Sequence, residues 1–168
     1  VSVYADWPEA SPDENARVAT IPNPDAEEIT GETYGALKAL CEQAAEEAFP
    51  GRALVIRPGL IVGPHDPSDR FTYWPHRIAA GGDVLAPGGP DLPTQWIDVR
   101  DLAAWTVRML EEERTGVFNA DGPVAPLGTL LDACVAASGS DARVHWVDET
   151  FLAERDVRPW VELPLWIP

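Results

Sequence analysis

Residues 34 to 59 read YGALKALCEQAAEEAFPGRALVIRPG. The first part is rich in Ala, Leu, Glu, Gln and Lys, all good helix formers, and predicts a helix from Thr30 or Thr33 to about Phe49. Leu37, Leu40, Cys41, Ala44 and Ala48 recur at helical spacing and form its expected apolar stripe. Pro50-Gly51 stops the helix, because neither residue continues it. Ala53 to Arg57 then reads as a buried strand, and a second apolar run, Leu60 to Pro64, follows Pro58-Gly59. Short apolar runs bounded by turn residues suit parallel strands covered on both faces.

Working outward, Val1 to Ala5 reads as the end of a strand. Residues 7 to 31 carry Pro8, Pro12, Pro22 and Pro24 among many acids and read as a long loop, a candidate lid. On the other side, residues 65 to 74 read as a polar-aromatic loop, with a short helix expected from Pro75 to Ala80 and a stop at Gly81-Gly82. Strands are expected at Asp83 to Ala86, Thr94 to Val99, Gly116 to Ala120 and Ala142 to Val147. Helices are expected at Leu102 to Glu113 with Asp101 as N-cap, at Leu127 or Gly128 to Ala137, and at Glu149 to Arg155. Strands alternating with helices predict an α/β fold with a mainly parallel sheet.

The chain has 168 residues and a net charge of -16, with 28 acids against 12 bases. Such an excess disfavours nucleic acid and anionic membrane surfaces as partners, and the expected location is the cytoplasm. Hydrophobic content of 45% excludes wholesale disorder. No apolar run reaches the roughly 18 residues of a membrane span. Cys41 and Cys134 have no metal-type spacing, so neither a metal site nor a disulfide framework is expected. The chain opens on Val1 and closes on the apolar tail Leu163 to Pro168, and is read as a piece truncated at both ends.

Tyr34 and Lys38 lie four apart on the first helix, hence on one face. A free phenol, with a pKa of about 10, is a poor base near neutrality. A fixed cation beside it favours the phenolate, and the pair then serves alcohol–carbonyl interconversion as general acid and base. Lys38 is the only lysine in the sequence, against eleven arginines. A compact, titratable ammonium is chemically distinct from a planar guanidinium that stays charged.

These residues stand in a longer series: Val3-Tyr4-Ala5-Asp6, Tyr34 to Lys38, Arg57-Pro58-Gly59-Leu60-Ile61-Val62-Gly63-Pro64, Trp96 to Ala103, and Gly116 to Ala120. In order and spacing the series resembles the extended short-chain dehydrogenase/reductase superfamily, also called the NAD-dependent epimerase/dehydratase family. The resemblance implies the C-terminal part of a Rossmann-type, mainly parallel sheet with flanking helices, plus a small α/β substrate-binding portion. The implied division is 1–63 for the Rossmann-like core and 64–168 for the substrate-binding portion. It implies an NAD(P)-dependent oxidoreductase or epimerase acting by hydride transfer on a small-molecule alcohol or carbonyl. Tyr34 would be the acid/base, and Lys38 would support the phenolate and hold the ribose of NAD or NADP. Pro58, Gly59, Leu60 and Ile61 would pass the nicotinamide carboxamide. Phe71, Tyr73, Trp74 and Arg77 would line the substrate side. A homodimer is the partner implied by the resemblance.

The sequence also departs from that pattern. The Ser or Thr expected four residues before Tyr4 falls ahead of Val1, with Ser2 out of register, and Gly81-Gly82 and Gly88-Gly89 sit in turns rather than between a strand and a helix. The implied cofactor site is therefore incomplete in this chain, and the piece taken alone is expected to be inactive. Leu60 stands where sugar-nucleotide members often carry Asn, which points toward an apolar or small carbonyl substrate. A non-catalytic ligand-sensing or interaction module on the same fold is the alternative reading. His65 and His76 are expected to be exposed loop residues or pocket residues, and Cys41 and Cys134 to be small packing residues. Trp7, Trp74 and Trp160 are expected to cover a pocket or partner surface, and Trp105 and Trp146 to pack in the core.

Overall fold

The computed structural model describes residues 2–6 and 13–167. Val1, Trp7 and the expected loop through Pro12 lie wholly or partly outside the described residues. The chain forms two compact units, residues 1–61 with 97–121, and 62–96 with 122–168. Where the sequence suggested a single division after residue 63, residues 97–121 return to the first unit, because the strand they contain pairs with a strand before the division.

In the first unit, α1 spans Tyr34–Ala48 and β1 spans Leu54–Pro58. After β2 (Ile61–Val62) the chain leaves this unit and comes back through β5 (Ile97–Asp98) and α3 (Val99–Glu111) into β6 (Gly116–Ala120). β1 and β6 pair in parallel, with Arg57 opposite Asn119 and Pro58 opposite Ala120. A parallel pair needs a crossover of this kind, and a helix usually supplies it. Trp105 of α3 packs edge-on to Phe118 of β6, with ring centroids 6.1 Å apart.

The second unit contains α2 (Tyr73–Ala79), β3 (Asp83–Pro87), β4 (Pro93–Thr94), β7 (Ala125–Pro126), α4 (Leu127–Ser138), β8 (Arg143–Val147) and α5 (Glu149–Ala153). β3 and β8 are parallel, and β4 and β7 antiparallel. Trp74 and Ile78 of α2, Leu127 and Leu131 of α4, Val84 and Leu152 are fully buried. Gly139 ends α4 in the left-handed conformation, φ 63°, where a residue without Cβ is favoured.

Several expectations are corrected. Residues 2–6 form no strand: Tyr4 makes an isolated antiparallel bridge with Val18, because the loop after residue 13 folds back on it. The buried face of α1 is Gly35, Ala36 and Ala39, while Cys41, Ala44 and Ala48 are exposed. The helix is turned so that Glu42, rather than the longer apolar stripe, faces β1. α2 begins at Tyr73, ahead of Pro75, since Pro is tolerated in a first turn whose N–H groups have no intrahelical acceptor. Thr94 and Ile97 lie in two separate short strands with different partners. α3 starts three residues earlier than Leu102, capped by Asp98: its carboxylate accepts from the Arg100 N–H at 2.8 Å, and Asp101 sits in the first turn.

The centre of the first unit is Arg57, only 6% exposed. Its Nε and Nη2 donate to the two carboxylate oxygens of Glu42 at 3.0 and 2.6 Å. Its Nη1 donates to the Tyr4 hydroxyl at 2.9 Å, and that hydroxyl donates to Asn119 Oδ1 at 2.7 Å. Nη1 also reaches the Glu14 carbonyl at 3.4 Å, while the Glu14 side chain accepts from the Asn119 N–H at 2.9 Å. The Glu42 carboxylate holds the guanidinium further above its already high pKa. Removing one partner of a buried pair strands the other charge. Glu42→Ala is therefore expected to cost about 3 kcal/mol in urea denaturation, with less lost when Glu42→Leu is combined with Arg57→Met.

At α3, the Arg100 side chain and its N–H hold the Asp98 carboxyl down to about 2. This contribution is whole above the ordinary aspartate value of about 3.9 and is lost as pH falls through the folded value. Asp98→Ala should lower the Tm at pH 7, and the gap from the parent chain should close toward pH 2. A gap that stays constant over that range would remove the cap from this account.

Candidate active site

α1 runs antiparallel to β1. Near the C-terminal end of the helix, Glu46 accepts from the Gly51 N–H at 2.6 Å, and one turn earlier Glu42 grips Arg57 near the end of the strand. Continuing in that direction brings the first turn of α1, with Tyr34 and Lys38, toward the C-terminal ends of β1 and β6. In parallel α/β sheets that edge is where ligands bind. The helix is held there by a close approach: a Cβ on Gly35 would overlap the backbone carbonyl of Ser2. Val3 and Tyr4 pack with Ala39 into a small core cluster on the inner side of the helix.

Tyr34 is 46% exposed, and Lys38 is exposed one turn on. Among the described residues, neither the hydroxyl nor the ammonium has a hydrogen-bond partner or ion pair. A phenol and a three-donor ammonium on one open helix face suit the hydroxyl groups of a ribose and an oxygen of a substrate. The donor set thus fits the nicotinamide-ribose end of a dinucleotide.

Pro58 closes β1, and Gly59 and Leu60 follow it, half-buried. The Leu60 carbonyl accepts from the Ile97 N–H at 2.9 Å, which ties this segment to β5. Ile61 is 39% exposed. Beside this segment lies a residue that motif reading missed. Asp121, directly after β6, packs its carboxyl on Gly59 so closely that a Cβ on Gly59 would overlap it. Oδ1 is buried and has no hydrogen-bond partner among the described residues. Burial pushes the carboxyl above its ordinary pKa, against a smaller opposing pull from the Gly59 N–H. Nothing in the sequence pattern marks this position, because the burial arises only when the two strand ends meet.

The substrate-side residues expected in the second unit divide into two pairs. Trp74 is fully buried, and its indole N–H donates to the Pro164 carbonyl at 2.9 Å, so it is a core residue without surface to offer a ligand. Arg77 donates to the carbonyls of Gly81 and Asp83 and fastens the turn after α2. Phe71 and Tyr73 are half-buried, Phe71 tilted against Trp96 at 5.4 Å and Tyr73 edge-on to Trp74 at 5.0 Å. His65 and His76 are exposed. Cys134 is buried in α4, and Cys41, expected to pack, is exposed because its face of α1 is turned away from β1. Among the described residues there is no cluster of three or more metal-ligating side chains, and no helix is long and apolar enough to cross a membrane.

The family model described as "NAD dependent epimerase/dehydratase family" matches residues 2–120. No curated protein matches the chain. Among solved structures, the chain is similar to a dTDP-4-dehydrorhamnose reductase from Clostridium acetobutylicum, with TM-score 0.58 and 15% identity over 89% of this chain and 49% of that one. It is also similar to a hypothetical dTDP-4-dehydrorhamnose reductase from Sulfolobus tokodaii, with TM-score 0.60 and 24% identity over 88% and 47%. A third similar structure is the Bordetella bronchiseptica enzyme WbmG in complex with NAD and UDP, with TM-score 0.60 and 20% identity over 84% and 43%. The chain thus spans about half the length of these structures, and at these identities the likeness is one of fold. With the family model covering the helix of Tyr34 and Lys38 and both strands of the first sheet, the chain belongs to the NAD-dependent epimerase/dehydratase family.

Proposed function

We propose that this chain carries the proton-transfer part of an NAD(P)-dependent oxidoreductase or epimerase acting on an alcohol or carbonyl. The observation that carries the reading is the exposed pair of Tyr34 and Lys38 on one face of α1, without partners among the described residues, on a helix directed toward the C-terminal edge of a parallel strand pair. A nicotinamide coenzyme, when bound, supplies or accepts the hydride.

Tyr34 Oη gives its proton to the substrate oxygen as a carbonyl is reduced, or takes it as an alcohol is oxidised. Lys38 Nζ stabilises the phenolate by its positive charge and lowers the cost of that exchange. Its remaining donors hold ribose hydroxyls. Backbone groups of Pro58, Gly59, Leu60 and Ile61 orient the carboxamide. Phe71 and Tyr73 are the residues of the second unit proposed for the substrate. Trp74 and Arg77 are left out of that role because their polar atoms are already engaged.

Similar structures bear names of dTDP-sugar reductases and dehydratases, and several were solved with NAD, NADP or NADPH. That supports the reaction class and either coenzyme. Turnover of NADH or NADPH by the full-length protein, with dTDP-4-dehydrorhamnose and with simple ketones as probes, tests it. Tyr34→Phe should reduce kcat by roughly 10²-fold or more, since it removes the transferable proton. Lys38→Arg should lose most of the activity and weaken coenzyme binding. Near-normal turnover in both variants would overturn the assignment.

A further inference from the structure

We propose that Asp121 is a positioning residue for the Pro58–Ile61 segment, seated on Gly59 when neutral and leaving that seat when ionised. Three observations meet at this point. The carboxyl rests on a glycine whose missing side chain is what makes room for it. Its Oδ1 is buried without a hydrogen-bond partner among the described residues. It follows directly on the last paired position of the sheet, where Ala120 stands opposite Pro58 and the Ala120 carbonyl receives the Gly59 N–H at 3.4 Å. The two strand ends therefore share one small contact, and Asp121 fills it.

A neutral carboxyl tolerates that seat. An ionised one is disfavoured there, because Oδ1 is buried without a partner among the described residues while the side chain as a whole is half-buried. No charged side chain of the described residues acts on it. The Gly59 N–H opposes burial more weakly. Burial prevails and displaces the ionisation upward, so the seat empties at a higher pH than an ordinary aspartate would set. Loss of the carboxyl frees Gly59, whose backbone is unrestrained by any side chain of its own, and loosens the segment after it.

The consequence for ligand binding rests on the function proposed above. If Pro58–Ile61 receives the nicotinamide end of the coenzyme, binding selects the seated, neutral form. Proton linkage then weakens binding as pH rises through the free-state value, with the slope of log Kd against pH tending to about one.

The test uses the full-length protein. The backbone amide resonances of Gly59, Leu60 and Ile61 are followed against pH without coenzyme. They are expected to titrate together, with a midpoint above the ordinary value of about 3.9, and Asp121→Asn should abolish that titration. No titration in the parent protein, or the same titration in Asp121→Asn, overturns the proposal. Kd values for NADH and NADPH are then measured over the same range. They should rise with pH in the parent, stay flat and tight in Asp121→Asn, and be weak at every pH in Gly59→Ala, whose methyl group takes the seat. A flat Kd in a parent whose amides titrate overturns the coupling to binding. Absence of coenzyme binding at every pH overturns the proposed function instead, and the amide titration still decides the seat.

Discussion

The first unit depends on one buried guanidinium. Arg57 sits on β1 with four neighbours around it: Glu42 from α1, Tyr4 and Glu14 from the N-terminal segments, and, through the Tyr4 hydroxyl, Asn119 from β6. A planar group with five donors can satisfy such a ring of acceptors, whereas an ammonium would meet them only as a point charge. The face of the Tyr4 ring adds a cation–π contact, with the guanidinium carbon 4.9 Å from its centroid. The pair with Glu42 adds little stability over well-packed apolar residues, because desolvation offsets the attraction. It contributes an arrangement: any other rotation or sliding of α1 on β1 leaves two charges buried and unpaired.

That arrangement places the turn proposed for the chemistry. With Glu42 held at Arg57, the helix has one direction along the strand, and the turn carrying Tyr34 and Lys38 falls toward the C-terminal edge of the sheet. Gly35 lets the helix approach the Ser2 carbonyl, and Tyr4 ties the same N-terminal segment to β6. The polar side chains of Arg57, Glu42 and Tyr4 are consumed in building the unit. Among the described residues the Tyr34 phenol and the Lys38 ammonium on the open face have no such partner, and that contrast supports the role proposed for them. The same contrast in the second unit separates Trp74 and Arg77, whose polar atoms bind backbone carbonyls, from Phe71 and Tyr73, whose rings keep exposed surface.

Much of this was legible from residues. Gly116 to Ala120 is a strand at the expected bounds, and Pro50-Gly51 and Gly139 end helices where their backbone chemistry requires. What misled was a pattern read without its partner. Cys41, Ala44 and Ala48 make a plausible apolar stripe, yet the helix buries its glycine and alanine face beside a glutamate. An acid facing inward is unreadable until the arginine on the next strand is seen beneath it. Pro75 marked a helix start two residues late because a first turn accepts proline at more than one position. Asp98 and Asp101 are both credible caps by type. Asp98 takes the role through its extended backbone and its reach to the Arg100 N–H.

The sequence by itself determined the alternation of strands and helices, the spacing of Tyr34 and Lys38, and the family series from Val3 to Ala120. These are local or near-local properties, set by propensity, turn chemistry and helical period. The tertiary structure alone decided which face of α1 turns inward, that Trp74 belongs to the core, and that Asp121 comes to rest on Gly59. Those outcomes depend on contacts between residues far apart in the chain, and burial, the quantity that decides each of them, has no value until the chain is folded.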